Sequence, residues 1–187
     1  MGYFDTQKHV DEYIELAKGY DGRELIDVLV GHLPKGSSVL ELGMGPGKDL
    51  DMLAEIFHVV GSDNSAIFVD RYQDIHPEAD VLRLDAITLD TERTFDALYS
   101  NKVLHQLTKS ELEVSLRAQH QILNRKGIAL HSLWYGEQCE VYGEMIAQHY
   151  TLESFLPLLG EYFEIIDHAQ YSEMDEKDSL YIVIQKK

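Results

Sequence analysis

The stretch Val39-Leu40-Glu41-Leu42-Gly43-Met44-Gly45-Pro46-Gly47 constrains the fold more than any other part of the chain. A short apolar run that stops at glycines reads as a buried strand entering a tight turn. Glycine takes φ > 0 and carries no Cβ, so a turn of this kind brings backbone N–H groups close to a ligand. Leu50, Leu53, Ala54 and Phe57 then recur at helical spacing, and His58-Val59-Val60-Gly61-Ser62 reads as the next strand, ending at Asp63. The unit is β-α-β, with a ligand-facing turn at its centre.

The alternation extends to both sides. Val10, Tyr13, Ile14 and Ala17 mark a helix from Lys8 to Lys18 that ends at Gly19-Tyr20-Asp21-Gly22, and a second helix runs from Arg23 to about His32. Downstream come a helix near Ser65 to Gln73 and strands at Asp80 to Leu84 and Phe95 to Ser100. A helix from Lys109 to Leu123 follows, with Thr108 and Glu111 at capping-box spacing, and then a strand from Gly127 to Leu133. Beyond Trp134 the pattern loosens. Thr151 caps a helix to about Leu159, and strand-like runs at Phe163 to Asp167 and Leu180 to Gln185 close the chain as a hairpin. The expected fold is α/β: a seven-stranded, mostly parallel, doubly wound sheet with helices on both faces and an antiparallel C-terminal hairpin strand at the sheet edge.

At 187 residues the chain is long enough for one substantial core. Its 33 acidic and 16 basic side chains give a net charge of -17, which repels phosphate backbones, so no nucleic-acid partner is expected. No apolar run approaches the roughly 20 residues of a membrane span, and the N-terminus lacks a signal pattern. A cytoplasmic protein with no membrane partner is expected. Cys139, the single cysteine, can form no intrachain disulfide, which suits a reducing compartment.

A dinucleotide fingerprint G-x-G-x-x-G counted from Gly43 would need its third glycine at Lys48, whereas Gly47 comes one residue early. Glu41, two residues ahead of Gly43, suits a cationic ligand better than a pyrophosphate, or else is a strand-end acid with no ligand. Asp63 lies roughly 20 residues beyond the loop, where an acid accepts hydrogen bonds from ribose hydroxyls. It is equally placed to cap the helix beginning near Ser65.

Glu41-Leu42-Gly43-Met44-Gly45-Pro46-Gly47 resembles the first motif of the class I S-adenosylmethionine-dependent methyltransferases: an acid, an apolar residue, then G-x-G-x-G. Val60-Gly61-Ser62-Asp63-Asn64-Ser65 resembles the segment whose acid binds the ribose. Leu84-Asp85-Ala86 resembles the motif whose acid faces the adenine amino group while the next backbone N–H meets the ring. Phe95-Asp96-Ala97-Leu98-Tyr99-Ser100-Asn101, with Val103-Leu104-His105, resembles the fourth motif near the methionine end, and Leu123-Asn124-Arg125-Lys126-Gly127 the turn before the fifth strand. The likeness spans about Val39 to Leu133. It departs at Met44, where a small residue or cysteine is frequent, and at Gln106, where a second histidine often follows. Asp85 can also be read as a solvated loop acid and Asn101 as a turn residue.

The resemblance implies one methyltransferase domain over 1–187, with a helical cap at 1–33, a cofactor core at 39–133, and a substrate-side segment and closing hairpin at 134–187. It implies S-adenosylmethionine as cofactor, S-adenosylhomocysteine as product, and cofactor contacts from Tyr20, Glu41, Gly43, Gly45, Asp63, Asn64, Asp85, Ala86 and Asn101. In-line methyl transfer asks the protein mainly for alignment and exclusion of water. An acceptor that must lose a proton also needs a base. His105 is the candidate, since it follows the fourth strand and titrates near neutrality, although a histidine that only packs fits the position too. Trp134 and Tyr135, after the fifth strand, are candidate walls for a small-molecule acceptor or covers for the sheet edge. Tyr150, before the late helix, is a candidate lid residue. Tyr13 reads as core, and Tyr20 as the tyrosine that lines the site.

No histidine or cysteine spacing suggests a metal. The acidic run Glu173 to Asp178 lacks the glycine and terminal glutamate of a calcium loop and reads as a solvated hairpin turn. The competing functions are a non-catalytic S-adenosylmethionine-binding regulator and, with less support, a nicotinamide-dependent oxidoreductase. The oligomeric state and the acceptor are not legible.

Overall fold

The computed structural model of the protein describes residues 3–143 and 145–187. The first helices are α1 (Gln7–Leu16) and α2 (Arg23–His32), and the central unit is β1 (Ser38–Leu42), α3 (Lys48–Ala54) and β2 (His58–Asp63). Then come α4 (Ala66–Ile75), β3 (Val81–Arg83), β4 (Phe95–Asn101), α5 (Lys109–Ile122) and β5 (Leu123–Trp134). The chain ends with β6 (Cys139–Tyr142), β7 (Met145–Gln148), α6 (Leu152–Phe155), β8 (Phe163–Tyr171) and β9 (Ser179–Lys186).

The fold is α/β, with seven strands in the order β3-β2-β1-β4-β5-β9-β8. The β1, β2, β3, β4 and β5 pairings are parallel, and β9 is antiparallel to both of its neighbours. The final strand therefore lies between β5 and β8, and β8 forms the edge. The chain starts in the middle at β1, winds outward to β3, and then crosses to β4. That reversal leaves a crevice beyond the carboxyl ends of β1 and β4, where open α/β sheets bind ligands.

Alternation along the central strands divides the core. Val39, Ala97, Tyr99, Ile128 and Leu130 face Leu25, Ile26 and Leu29 of α2 together with Leu53 and Phe57. Leu40, Leu98, Ala129 and Ile182 face Leu112, Leu116 and Ile122 of α5, with Phe155 of α6 beside them. A third cluster sets Met44 and Leu50 against Val69 and Tyr72 of α4 and Val81 of β3. Thr108 caps α5 as expected: its hydroxyl accepts the Glu111 N–H, and the Glu111 carboxylate accepts the Thr108 N–H at 2.8 Å. Among the described residues no helix is long and apolar enough to cross a membrane.

The segment after Trp134 is more ordered than its sequence suggests. β6 and β7 pair as a separate two-stranded antiparallel ribbon, and the Tyr150 N–H returns to the Trp134 carbonyl at 2.9 Å, closing the excursion. Gly143, at φ +61°, turns the chain between the two strands. The strands are four residues each with no clear period, so only that glycine signals them.

Leu116 is fully buried between α5 and the sheet. Leu116→Ala is expected to cost about 2–5 kcal/mol, read as a lower urea midpoint at unchanged slope.

Candidate active site

The crevice begins with the glycine loop. Gly43 and Gly47 have φ of +66° and +86°. A Cβ on Gly43 would lie 2.6 Å from Val103, and one on Gly47 would lie 2.2 Å from the Tyr72 ring, so neither position has room for a side chain. Met44 points away from the crevice into the third cluster, 4 % exposed, and Gly61 makes room for its sulfur. The departure from a small residue there fills core space and leaves the loop open.

Asp63, at the end of β2, ties this loop to α4: one carboxylate oxygen accepts the Gly45 N–H at 2.9 Å and the other the Ser65 N–H at 2.8 Å. Asp63 therefore does not cap α4 as expected: it faces the crevice and holds the N–H of Ser65, the residue before the helix, whose first turn has no side-chain cap. A first cavity of about 440 Å³ is lined by Gly43, Gly45, Asp63, Asn64, Asp85 and Ala86. Asp85 folds its own turn by accepting the Ile87 N–H. Phe4, Tyr13 and Phe68 close the cavity with ring centroids 5.2–5.9 Å apart, and the Ser65 hydroxyl pins the Phe4 carbonyl at 2.7 Å. Tyr13 is thus a wall and not a core residue, 37 % exposed and facing both cavities.

A second cavity, about 700 Å³, adjoins the first at Gly43, Asn101 and Lys102. Glu41 and Tyr20 line one side, His105, Trp134 and Tyr135 the other, and β7 and the β8–β9 turn contribute to the rim. Glu41 is 3 % exposed, and its Oε2 has no hydrogen-bond partner. Burial, and then the charges of Asp49, Asp63 and Asp51, hold its carboxyl well above the usual range.

Asp49 carries the junction, and sequence reasoning missed it. Its carboxylate accepts the Gly22 N–H at 2.8 Å, the Tyr99 hydroxyl at 2.8 Å and the Asn101 side-chain amide at 3.0 Å. An acid in the first turn of a helix ordinarily reads as a partner of the helix dipole, so only the fold shows this role. Asn101 in turn accepts the Ser132 hydroxyl, which uses both ends of its amide.

Lys102 was also unforeseen. At φ +54° it sends its ammonium 3.8 Å above the Trp134 ring, to the Ser179 hydroxyl, the Leu133 carbonyl and Glu173 at 3.1 Å. Glu173 therefore anchors the β8–β9 turn to the site and is not a solvated residue. The turn is built on Asp178, which accepts the N–H groups of Glu173, Met174 and Asp175. Burial alone would raise the Asp178 carboxyl, but these donors outweigh it and hold it at about 2.

Two expectations need correction. Tyr150 is no lid: it is fully buried, sits edge-on to Phe155 at 5.6 Å, and lines neither cavity. The chain returns to the sheet at that residue, which turns its ring into the α5–α6 core. His105 does not titrate near neutrality. It is 8 % exposed with Nδ1 unpartnered, and burial, then Lys102 and His149, push its pKa down to about 3. Among the described residues no group of three or more His, Cys, Asp and Glu side chains is placed to hold a metal ion.

Residues 39–127 match the family model described as a methyltransferase domain. The matched stretch takes in the glycine loop, Asp63, Asp85 and Asn101. Solved structures share its fold: a TehB-like S-adenosylmethionine-dependent methyltransferase from Corynebacterium glutamicum superposes with TM-score 0.76 at 22% identity, over 97% of this chain and 100% of that one. A Clostridium acetobutylicum S-adenosylmethionine-dependent methyltransferase gives 0.77 at 12% identity over 94% and 98%. The N-methyltransferase NodS of Bradyrhizobium japonicum, in complex with S-adenosylhomocysteine, gives 0.73 at 16% over 88% and 84%. No curated protein matches the chain.

His131, fully buried in β5, has its pKa pushed down to about 3 by burial, like His105. Unfolded, both titrate near 6.5. The native state therefore binds fewer protons between these values, so their contribution is complete above pH 6.5 and is lost as pH falls toward 3. The expected slope is at most about 1.4 kcal/mol per pH unit for each. Urea titrations at neutral and mildly acidic pH measure it, and His131→Gln should remove that residue's share, at most about 1.4 kcal/mol per pH unit.

Proposed function

We propose that the chain transfers the methyl group of S-adenosylmethionine to a small-molecule acceptor. The observation that carries this reading is the pair of adjoining cavities: a polar one ringed by Asp63, Asn64, Asp85 and Ala86, and a larger one walled by Trp134, Tyr135 and His105. The residues fit the cofactor. Glu41 keeps an orphaned, buried oxygen beside Asp49, which suits a cationic group, and Gly43 brings bare backbone to both cavities where a Cβ would run into Val103. In this reading Asp63 and Asn64 bind the ribose, Asp85 and Ala86 meet the adenine, and Glu41, Asn101 and Tyr20 surround the methionine end.

When bound, S-adenosylmethionine supplies an electrophilic methyl group for in-line displacement. Trp134 and Tyr135 orient the acceptor and exclude water, and positioning of this kind supplies roughly 7–11 kcal/mol of the barrier. Burial lowers the basicity of His105, which makes it a poor base, so its part is to orient the acceptor. The Lys102 ammonium is spent on Ser179, Leu133 and Glu173, while Lys48 donates to the Tyr20 carbonyl. The remaining wall is acidic and favours a neutral or cationic acceptor over a carboxylate.

Isothermal titration with S-adenosylhomocysteine tests the cofactor half: Asp63→Ala should bind at least about tenfold more weakly, the loss of a charge-assisted hydrogen-bonding pair. Unchanged affinity would refute the ribose role, and retention of NAD in place of S-adenosylhomocysteine would overturn the reading. Methyl transfer from the tritium-labelled cofactor to a panel of small acceptors separates an enzyme from a binding regulator.

A further inference from the structure

A continuous chain of buried hydrogen bonds leads from the carboxyl end of β4 to the adenine side of the crevice. Ser115, on α5, donates its hydroxyl proton to the Ala86 carbonyl at 2.6 Å. Gln119, one turn further along α5, donates its amide to the Ser115 oxygen at 3.1 Å, which leaves its own carbonyl to accept from His131 at 2.8 Å. The proton of His131 is thereby fixed on Nε2. Its Nδ1 must accept, and it takes the Ser100 hydroxyl at 2.8 Å. Ser100, Ser115, Gln119 and His131 are all fully buried.

Every donor in this series points the same way, from the sheet toward Ala86. The four side chains lie on the face where Leu98, Ala129, Leu112 and Leu116 make an apolar core. Stability does not require polar groups there, because apolar residues of similar shape serve a core as well. What the series supplies is a fixed position. It begins at Ser100, next to Asn101 where the two cavities meet, and ends on a residue that lines the first cavity.

We propose that Ser100, His131, Gln119 and Ser115 are positioning residues for the adenine end of the cofactor site, holding Ala86, and with it Asp85, at a set distance from β4. This rests on the reading above in which Asp85 and Ala86 meet the adenine. None of the four touches the cavity. They act through the Ala86 carbonyl, so their loss moves the loop without removing any group that meets the ligand.

The test compares S-adenosylhomocysteine with S-inosylhomocysteine, whose ring lacks the amino group that Asp85 would recognise. Ser115→Ala should weaken S-adenosylhomocysteine binding about fivefold, the worth of one buried hydrogen bond, and leave S-inosylhomocysteine within about twofold. Equal losses on both ligands would show a role in fold stability alone and would overturn the proposal. Gln119→Met keeps the Ser115–Ala86 bond but removes the group that orients it. It should give a smaller loss with the same ligand preference, and it decides the matter if Ser115→Ala fails to fold. Asp85→Asn separates the two layers of inference. If it weakens S-adenosylhomocysteine while Ser115→Ala does not, the positioning role fails and the adenine reading stands. If neither variant weakens it, the adenine reading fails and takes the proposal with it.

Discussion

The Asp49 carboxylate holds three parts of the molecule in one place. Its donors come from the turn before α2, from the middle of β4 and from the end of β4, while the residue itself sits in the first turn of α3. A buried carboxylate is costly to desolvate, and hydrogen bonds from neutral donors offset that cost. The arrangement also fixes the sequence around it: a Cβ on Gly22 would lie 2.1 Å from the Tyr99 hydroxyl oxygen. Because Gly22 is held there, the N-terminal helices close one side of the crevice, with Tyr13 and Tyr20 lining it.

The same constraint sets the electrostatics. Glu41 and Asp63 share the loop region with Asp49, and the charges of Asp49 and Asp63 add to burial in holding the Glu41 carboxyl well above its usual range. Asp63 is raised by burial as well, against the opposing effect of N–H donors from Ser65, Gly45 and Asn64. A group of acids under this mutual strain is relieved by a ligand that brings positive charge and hydroxyl donors. A pyrophosphate would worsen it. This chemistry, more than the count of glycines, separates the site from a dinucleotide pocket.

Much of this was legible in the chain. The β1–α3–β2 unit, both N-terminal helices and the cap of α5 follow from apolar period, glycine position and the Thr108–Glu111 spacing. Asp63 was legible because strand ends are, and Asp63 sits at one. What sequence does not carry is the direction of side chains once the chain leaves the sheet. Tyr150 looked like a site residue from its position before a helix, yet the backbone returns to the sheet there and buries the ring. Asp49, Lys102 and Glu173 act through partners 27 to 77 positions away, and no local pattern encodes such pairs. His131 is similar, since a histidine inside a strand announces neither its tautomer nor its partners.

The two halves of the crevice also differ in how they are built. The loops around the first cavity follow directly from parallel strands, so rigid elements fix the positions of Gly43, Asp63, Asp85 and Asn101. The second cavity draws part of its lining from the β6–β7 ribbon and the β8–β9 turn, which lie beyond the residues matched by the methyltransferase family model. Contacts that hold these pieces to the core include the Trp134–Tyr150 closure, the Tyr135 N–H on the Asp178 carbonyl, and the Lys102 ammonium clasped by Trp134, Ser179 and Glu173. Lys102 directly follows β4, and Glu173 belongs to the β8–β9 turn. Lys102 is therefore a direct link between the two halves of the crevice, and Met145 and Ile146 of the ribbon, which line both cavities, are another.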